Sequence, residues 1–391
     1  MFDLTVSSAH PLSAYGWDDG FAESFTPFAG QGFVPGRIVR VDRGRVDAAV
    51  PDGDGIRTVL ADTALVATSD PMRVPCTGDW AVIDFANGRV GDHVDGVVRA
   101  LLPRRTAFVR STSSKRSEGQ VLATNVDTIV ICVSLAEQLD LGRIERFLAL
   151  AMSGSTGEGP VHGSALSGEN GAQPLVVLTK ADLAGDPAGV GHLVADTEGP
   201  APGVQVLAVS AATGDGIDVL GAVLAGGTSV LLGRSGAGKS TLANALVGAY
   251  VQDVQAIRDR DGKGRHTTTT RDLLVLPGGG VLIDTPGLRG VGMWDAEGGL
   301  ARTFAEVEEL AERCRFPDCA HGAEPGCAVR EAVESGELTE RRMESYRKLQ
   351  RENQWIVAKT DARLRAERRR EWKQKQALGR HMTERKRGKG R

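Results

Sequence analysis

Between residues 34 and 110 the apolar positions fall in short, β-branched runs separated by Gly, Asp, Asn or Pro, as in GRIVRVDRGRVDAAV, GIRTVLADTALVAT, DWAVIDFANGRV and DGVVRALLPR. That spacing predicts a small all-β sandwich or barrel. Its length fits a five-stranded oligonucleotide-binding barrel, over 33–110. The polar stretch 111–120 (STSSKRSEGQ) reads as a linker. From 121 to 298 the pattern alternates. NVDTIVICVSL, PLVVLTK, GVQVLAVSA, GTSVLLG and GGGVLIDTPG read as buried strands, with LGRIERFLALAM and TLANALVG as helices between them. Strand–helix alternation predicts a parallel α/β sheet. Residues 153–173 are Gly- and Ser-rich, the composition of a flexible insertion. From 299 to 350 the pattern turns helical, and a charged tail follows over 351–391. The first 32 residues hold Tyr15, Trp17, Phe21, Phe25 and Phe28 without a clear period, so an irregular extension with room for a short helix is expected there.

Composition narrows the class. Apolar residues make up 41% and charged residues 25% of 391, which excludes a disordered or collagen-like chain. No apolar run approaches the roughly 18 residues of a membrane helix, and the N-terminus lacks the basic-then-apolar order of a secretory signal. A cytoplasmic protein without a membrane partner is expected. The net charge of −3 conceals an asymmetry. Residues 341–391 carry 19 basic and 6 acidic groups, a net +13, whereas the preceding 340 residues carry 28 and 44. Such a tail either binds a polyanion or is merely solvated.

One motif carries most of the chemistry. Gly233-Arg234-Ser235-Gly236-Ala237-Gly238-Lys239-Ser240 satisfies every fixed position of G-x-x-x-x-G-K-[ST], between an apolar strand and the helix opening at Thr241. Its backbone amides can cradle phosphates at a helix N-terminus. Lys239 can reach the β and γ phosphates, and Ser240 can offer its hydroxyl to Mg2+. Asp284-Thr285-Pro286-Gly287 resembles the second switch of GTPases, with Asp284 in the Mg2+ shell and the Gly287 amide at the γ phosphate. Thr179-Lys180-Ala181-Asp182 resembles the guanine-reading N-K-x-D element, with Thr in place of Asn, and Ser210-Ala211 resembles the S-A-K element. A first switch is expected in Gly264-Arg-His-Thr-Thr-Thr-Thr-Arg271. Thr268 is favoured there to close over Mg2+, although Thr runs also begin ordinary strands. Leu288 occupies the position where many GTPases place a water-orienting Gln. His266 is the nearest titratable substitute, and a structural role for it weighs equally. Both base elements precede the phosphate loop, which implies a circularly permuted order.

Five cysteines do not form a disulfide framework in a chain this long. Cys314, Cys319, His321 and Cys327 offer three thiolates and an imidazole within 14 residues. This is a closed, four-ligand set for one structural zinc.

Together GRSGAGKST, GRHTTT, DTPG, the permuted order and the Cys-x4-Cys-x-His-x5-Cys site resemble the small-ribosomal-subunit-dependent GTPases of the RsgA or YjeQ type, over roughly residues 33–350. The resemblance implies an oligonucleotide-binding barrel, a permuted GTPase and a zinc domain. It also implies a GTP hydrolase that binds the small (30S) subunit and its 16S ribosomal RNA late in assembly, stimulated by that subunit. A monomer is expected. Two other classes compete: a nucleotide-dependent small-molecule kinase, and a passive RNA-binding protein with a dead nucleotide site. No acceptor site is evident for the first, and intact Lys239, Ser240 and Asp284 oppose the second.

Overall fold

The computed structural model describes residues 10–85, 94–111, 119–153, 171–248, 271–285 and 296–360. Five strands close a barrel: β1 (Val34–Asp42), β2 (Arg45–Asp52), β3 (Gly55–Asp62), β4 (Trp80–Asp84) and β5 (Gly96–Leu101), in the order β1-β2-β3-β5-β4. Alternation along each strand sends Ile38, Val46, Ala48, Val59, Ile83 and Val98 into its interior.

Within the extension expected over 1–32, the short helix allowed there is present and its position is defined. Pro11–Tyr15 forms a 3-10 turn and Asp19–Ala29 an α-helix, α1, whose N-terminus is capped by the Asp18 carboxylate. Trp17, Phe21 and Phe25 are spaced four residues apart, a helical period masked by the Gly and Pro among them. They bury their rings against the barrel exterior, with Trp17 edge-on to Trp80 at 4.8 Å.

The barrel ends at Leu101, before the expected boundary at 110. Ala107–Ser111 (β6) pairs antiparallel with Gly119–Thr124 (β7), so both flanks of the expected linker form a hairpin. Its Phe108, Leu122 and Ala123 join the core of the next unit. That unit holds β8 (Thr128–Ser134), β9 (Gln173–Thr179), β10 (Gln205–Val209), β11 (Thr228–Leu232), β12 (Asp272–Val275) and β13 (Val281–Asp284). The sheet order is β10-β9-β8-β11-β13-β12, parallel except for β12. Helices α2 (Leu141–Ser153) and α3 (Pro187–Glu198) cover one face, α4 (Ile217–Leu224) and α5 (Lys239–Val247) the other.

The C-terminal unit comprises α6 (Glu297–Thr303), α7 (Ala305–Ala311), α8 (Ala328–Ser335) and α9 (Glu340–Thr360), packed around Phe304, Val307, Val329, Met343 and Tyr346. The expected tail boundary at 351 falls inside α9, because Met343, Tyr346, Leu349 and Ile356 form one continuous apolar stripe. Helix α6 lies so close to α2 that a Cβ at Gly299 would sit 2.1 Å from the Ala149 carbonyl. No helix among the described residues is long and apolar enough to cross a membrane.

Candidate active site and metal centre

The phosphate loop joins β11 to α5. Gly236 and Gly238 adopt φ of +85° and +81°, a region where a side chain would be strained. These turns let the loop double back before α5. The Lys239 side chain is buried and donates to the Gly233 and Arg234 carbonyls, 3.0 Å each. Burial lowers its pKa, opposed by neighbouring Cys132 and Asp284. At the other end of the loop, the exposed Arg234 pairs with Glu137 at 3.5 Å, a contact the sequence did not indicate.

Parallel pairing of β11 and β13 brings Asp284 to the loop. The Ser240 hydroxyl donates to its carboxylate at 3.1 Å, so the two oxygen groups expected around Mg2+ are adjacent. Thr285 donates to the Leu231 carbonyl at 2.5 Å, fixing the strand exit. The base elements arrive from β9 and β10. Thr179 donates to the Ala237 carbonyl (2.8 Å) and Lys180 to Gly236 (2.9 Å), tying this loop to the phosphate loop. Lys180 holds φ of +59° to do so. Ser210, with Ala211 beside it, donates to Asp182 at 2.6 Å and so orients the carboxylate expected to read guanine. Thr241 lies in the first turn of α5 and is exposed. His266, Thr268 and Gly287 lie outside the described residues, as do Leu288 and most of 153–173.

The cysteine cluster folds between α7 and α8. The ligand atoms of Cys314, Cys319, His321 and Cys327 all lie within 4.8 Å of one another. His321 Nδ1 is 3.6 Å from both Cys314 and Cys327 sulfurs, which are 3.9 Å apart. Tetrahedral zinc with bonds of roughly 2.3 Å to sulfur and 2.0–2.1 Å to nitrogen requires edges of about 3.8 and 3.6 Å, so the donor set fits that ion. Burial would raise the Cys314 thiol, but the Val329 and Ala328 amides at the start of α8 outweigh it and lower its pKa. Cys76 and Cys132 are different. Burial pushes both up to about 12, as expected of core thiols.

A buried ion cluster was not foreseen from the sequence. Glu145, fully buried on α2, accepts from Arg341 and Arg342 of α9 at 2.9 Å each. Arg342 also donates to Pro200 O (3.0 Å), Thr303 O (2.5 Å) and Glu306 (2.6 Å), and stacks 4.2 Å from the Phe304 ring centre. The available signal was a lone carboxylate beside Ile144, Phe147 and Leu148 in an apolar helix face.

The family model described as RsgA GTPase matches residues 165–294. The protein named Small ribosomal subunit biogenesis GTPase RsgA of Streptomyces coelicolor is 61% identical, covering 98% of this chain and 99% of its own length. Its namesake in Opitutus terrae is 42% identical, covering 93% and 95%. Among solved structures, YjeQ from Thermotoga maritima is similar at a TM-score of 0.53 and 25% identity, covering 81% of this chain and 97% of its own. YloQ, described as a circularly permuted GTPase, is similar at a TM-score of 0.54 and 23% identity, covering 82% and 94%, a likeness of fold. With the permuted sheet, the phosphate loop and the three-cysteine, one-histidine cluster in one chain, these similarities lead to a single assignment: the chain belongs to the RsgA GTPase family.

Proposed function

We propose that this protein hydrolyses GTP on the small ribosomal subunit during its late assembly, with turnover stimulated by that subunit. It acts as a cytoplasmic monomer that contacts 16S ribosomal RNA. The observation that carries this reading is the meeting of Lys239, Ser240 and Asp284 at one loop, with Thr179 and Lys180 tying the segment that carries Asp182 to it, in a chain 61% identical to a relative named for this role. The working division is an N-terminal extension packed on a barrel (34–101), a permuted GTPase that includes the 107–124 hairpin, a helical unit with the zinc ligands that runs through α9 to 360, and a basic tail beyond it.

The chemistry follows from the residues. Lys239 exchanges its two loop carbonyls for β- and γ-phosphate oxygens. The amides of 233–241 hold the phosphates. Ser240 and Asp284 would hold Mg2+, which neutralises charge developing on the transferred phosphoryl group. Asp182, oriented by Ser210, accepts from the guanine N1 and N2 hydrogens. Thr268 and the Gly287 amide close on the γ phosphate. His266 orients the attacking water, since Leu288 has no hydrogen-bonding group. One zinc per chain, on Cys314, Cys319, His321 and Cys327, holds the α7–α8 loop as a structural element.

Steady-state turnover with GTP and with ATP, each with and without purified small subunits, tests the proposal. GTP turnover that rises with subunits is expected. Equal use of ATP, or no response to subunits, would sink it.

A further inference from the structure

Guanine offers two kinds of group to a protein. Its N1 and N2 hydrogens donate, whereas O6 and N7 accept. Asp182 is placed for the donors, since Ser210 holds its carboxylate. The acceptors need hydrogens from the protein, and the side chains of the two base elements have few to give. The Ser210 hydroxyl has a single hydrogen, which goes to Asp182 at 2.6 Å. Lys180 sends its ammonium to the Gly236 carbonyl at 2.9 Å. The Thr179 hydroxyl also has a single hydrogen. Two carbonyls compete for it, Ala237 at 2.8 Å and Val133 at 3.3 Å.

That hydrogen is held where it is. Thr179 is the last residue of β9 and is 4% exposed. The phosphate loop runs against it: a Cβ at Gly238 would sit 3.6 Å from its hydroxyl oxygen. Turning the hydroxyl to a base nitrogen would trade one neutral acceptor for another. It would also leave the carbonyl of the buried Ala237 without this donor, a cost as large as the bond gained. Lys239 differs, because a cation that leaves carbonyls for phosphate gains charged oxygens. An asparagine at 179 would carry two amide hydrogens, one for Ala237 and one for the base. Threonine has no second hydrogen.

We propose that the protein recognises guanine through its N1 and N2 hydrogens and leaves N7 unread, with Thr179 acting as a positioning residue for the phosphate loop. O6 is left to main-chain amides. Guanine nucleotides that lack the N7 acceptor are therefore substrates on a par with GTP. The inference rests on the GTP reading above and concerns how the base is told apart.

The test uses the full chain with GTP, 7-deaza-GTP, inosine triphosphate and ATP, in steady-state turnover with purified small subunits and in equilibrium binding without them. 7-Deaza-GTP carries C–H in place of N7, and inosine triphosphate lacks the N2 amino group. In the wild type, kcat/KM for 7-deaza-GTP should lie within about twofold of GTP, because no hydrogen bond is lost. Inosine triphosphate should lose roughly tenfold or more, because a hydrogen bond to a carboxylate goes. Thr179→Asn should acquire a preference for GTP over 7-deaza-GTP of roughly two- to tenfold, the worth of one neutral hydrogen bond. Thr179→Val should weaken both nucleotides by the same factor, and Thr179→Ser, which keeps the hydroxyl, should bind them as the wild type does. The wild-type comparison needs no variant, so misfolding cannot obscure it. Wild-type discrimination against 7-deaza-GTP of about tenfold or more would overturn the inference and leave the GTP reading intact. So would a Thr179→Val variant with an altered ratio between the two nucleotides, which would put the hydroxyl on the base. ATP used as well as GTP would overturn the GTP reading, and the inference with it.

Discussion

Arg342→Met tests how firmly the C-terminal unit is locked to the GTPase. Met retains an unbranched apolar stem beside Phe304 but removes a cation whose side chain is 6% exposed. The change strips Glu145 of one of its two arginines and leaves the Pro200 and Thr303 carbonyls without this donor. Breaking a buried pair from one side costs about 3–5 kcal/mol. Arg341 remains on Glu145, so the lower end, about 3 kcal/mol, is expected, roughly two orders of magnitude in the folding equilibrium. Glu145→Leu alone should cost less, because Arg342 keeps Glu306 at 2.6 Å and the two carbonyls. The double variant Arg342→Met/Glu145→Leu removes both charges and should cost well below the sum, with a coupling of about 2 kcal/mol. Urea unfolding of all four proteins supplies the cycle, and hydrogen exchange in α6 and α9 locates the loosening. Single-variant costs under about 1 kcal/mol, or costs that simply add, would show that the cluster does not join the units.

Three further outcomes are expected. Lys239→Ala should remove most GTP turnover while leaving the fold intact, because it deletes a contact that strengthens as charge develops; wild-type turnover in a folded variant would refute the phosphate-loop assignment. Asp182→Asn should shift preference from guanine toward xanthine nucleotide, whose base accepts where guanine donates; unchanged discrimination in competition assays would move base recognition elsewhere. Chelation of zinc should expose three thiols to an aromatic disulfide reagent at pH 8, while Cys76 and Cys132, held near 12 by burial, stay protonated and inert; five rapidly reacting thiols would contradict the burial argument, and Cys319→Ser should lose the metal and loosen 310–335.

What the sequence made legible is what local physics fixes. A strand followed by a glycine-rich turn and a helix defines the phosphate loop, and four close ligands define the metal centre, because both act over one short segment. The barrel and the parallel sheet were readable from their periodicities. The position of helix α1 was not, because Gly20 and Pro27 disguised the spacing of Trp17, Phe21 and Phe25, and only the barrel face around Trp80 rewards it. The β6–β7 hairpin was missed because its polar connection outweighed two short strands that are stable only against the GTPase core. The Arg342–Glu145 cluster spans 197 positions, a pairing no local pattern can encode.

The permuted order gives these long-range contacts a mechanical meaning. Because strands β9 and β10 precede the phosphate loop, β13 is the last strand of the sheet in chain order, and among the described residues the next element after it is α6 of the C-terminal unit. Both ends of that passage are fixed. Thr285 is tied to Leu231 beneath the phosphate loop, and Ala296 donates to Asn353 of α9 at 3.1 Å. Just beyond, α6 meets α2 at Gly299, where no side chain fits. Helix α2 in turn carries Glu145, and the Glu137 that pairs with Arg234 lies just before it. Among the described residues, the C-terminal unit thus reaches the neighbourhood of the phosphate loop through α2. A partner that engaged the three-cysteine, one-histidine unit is therefore expected to act on the phosphate loop through α2, and by reciprocity nucleotide binding at that loop would change the affinity for the partner.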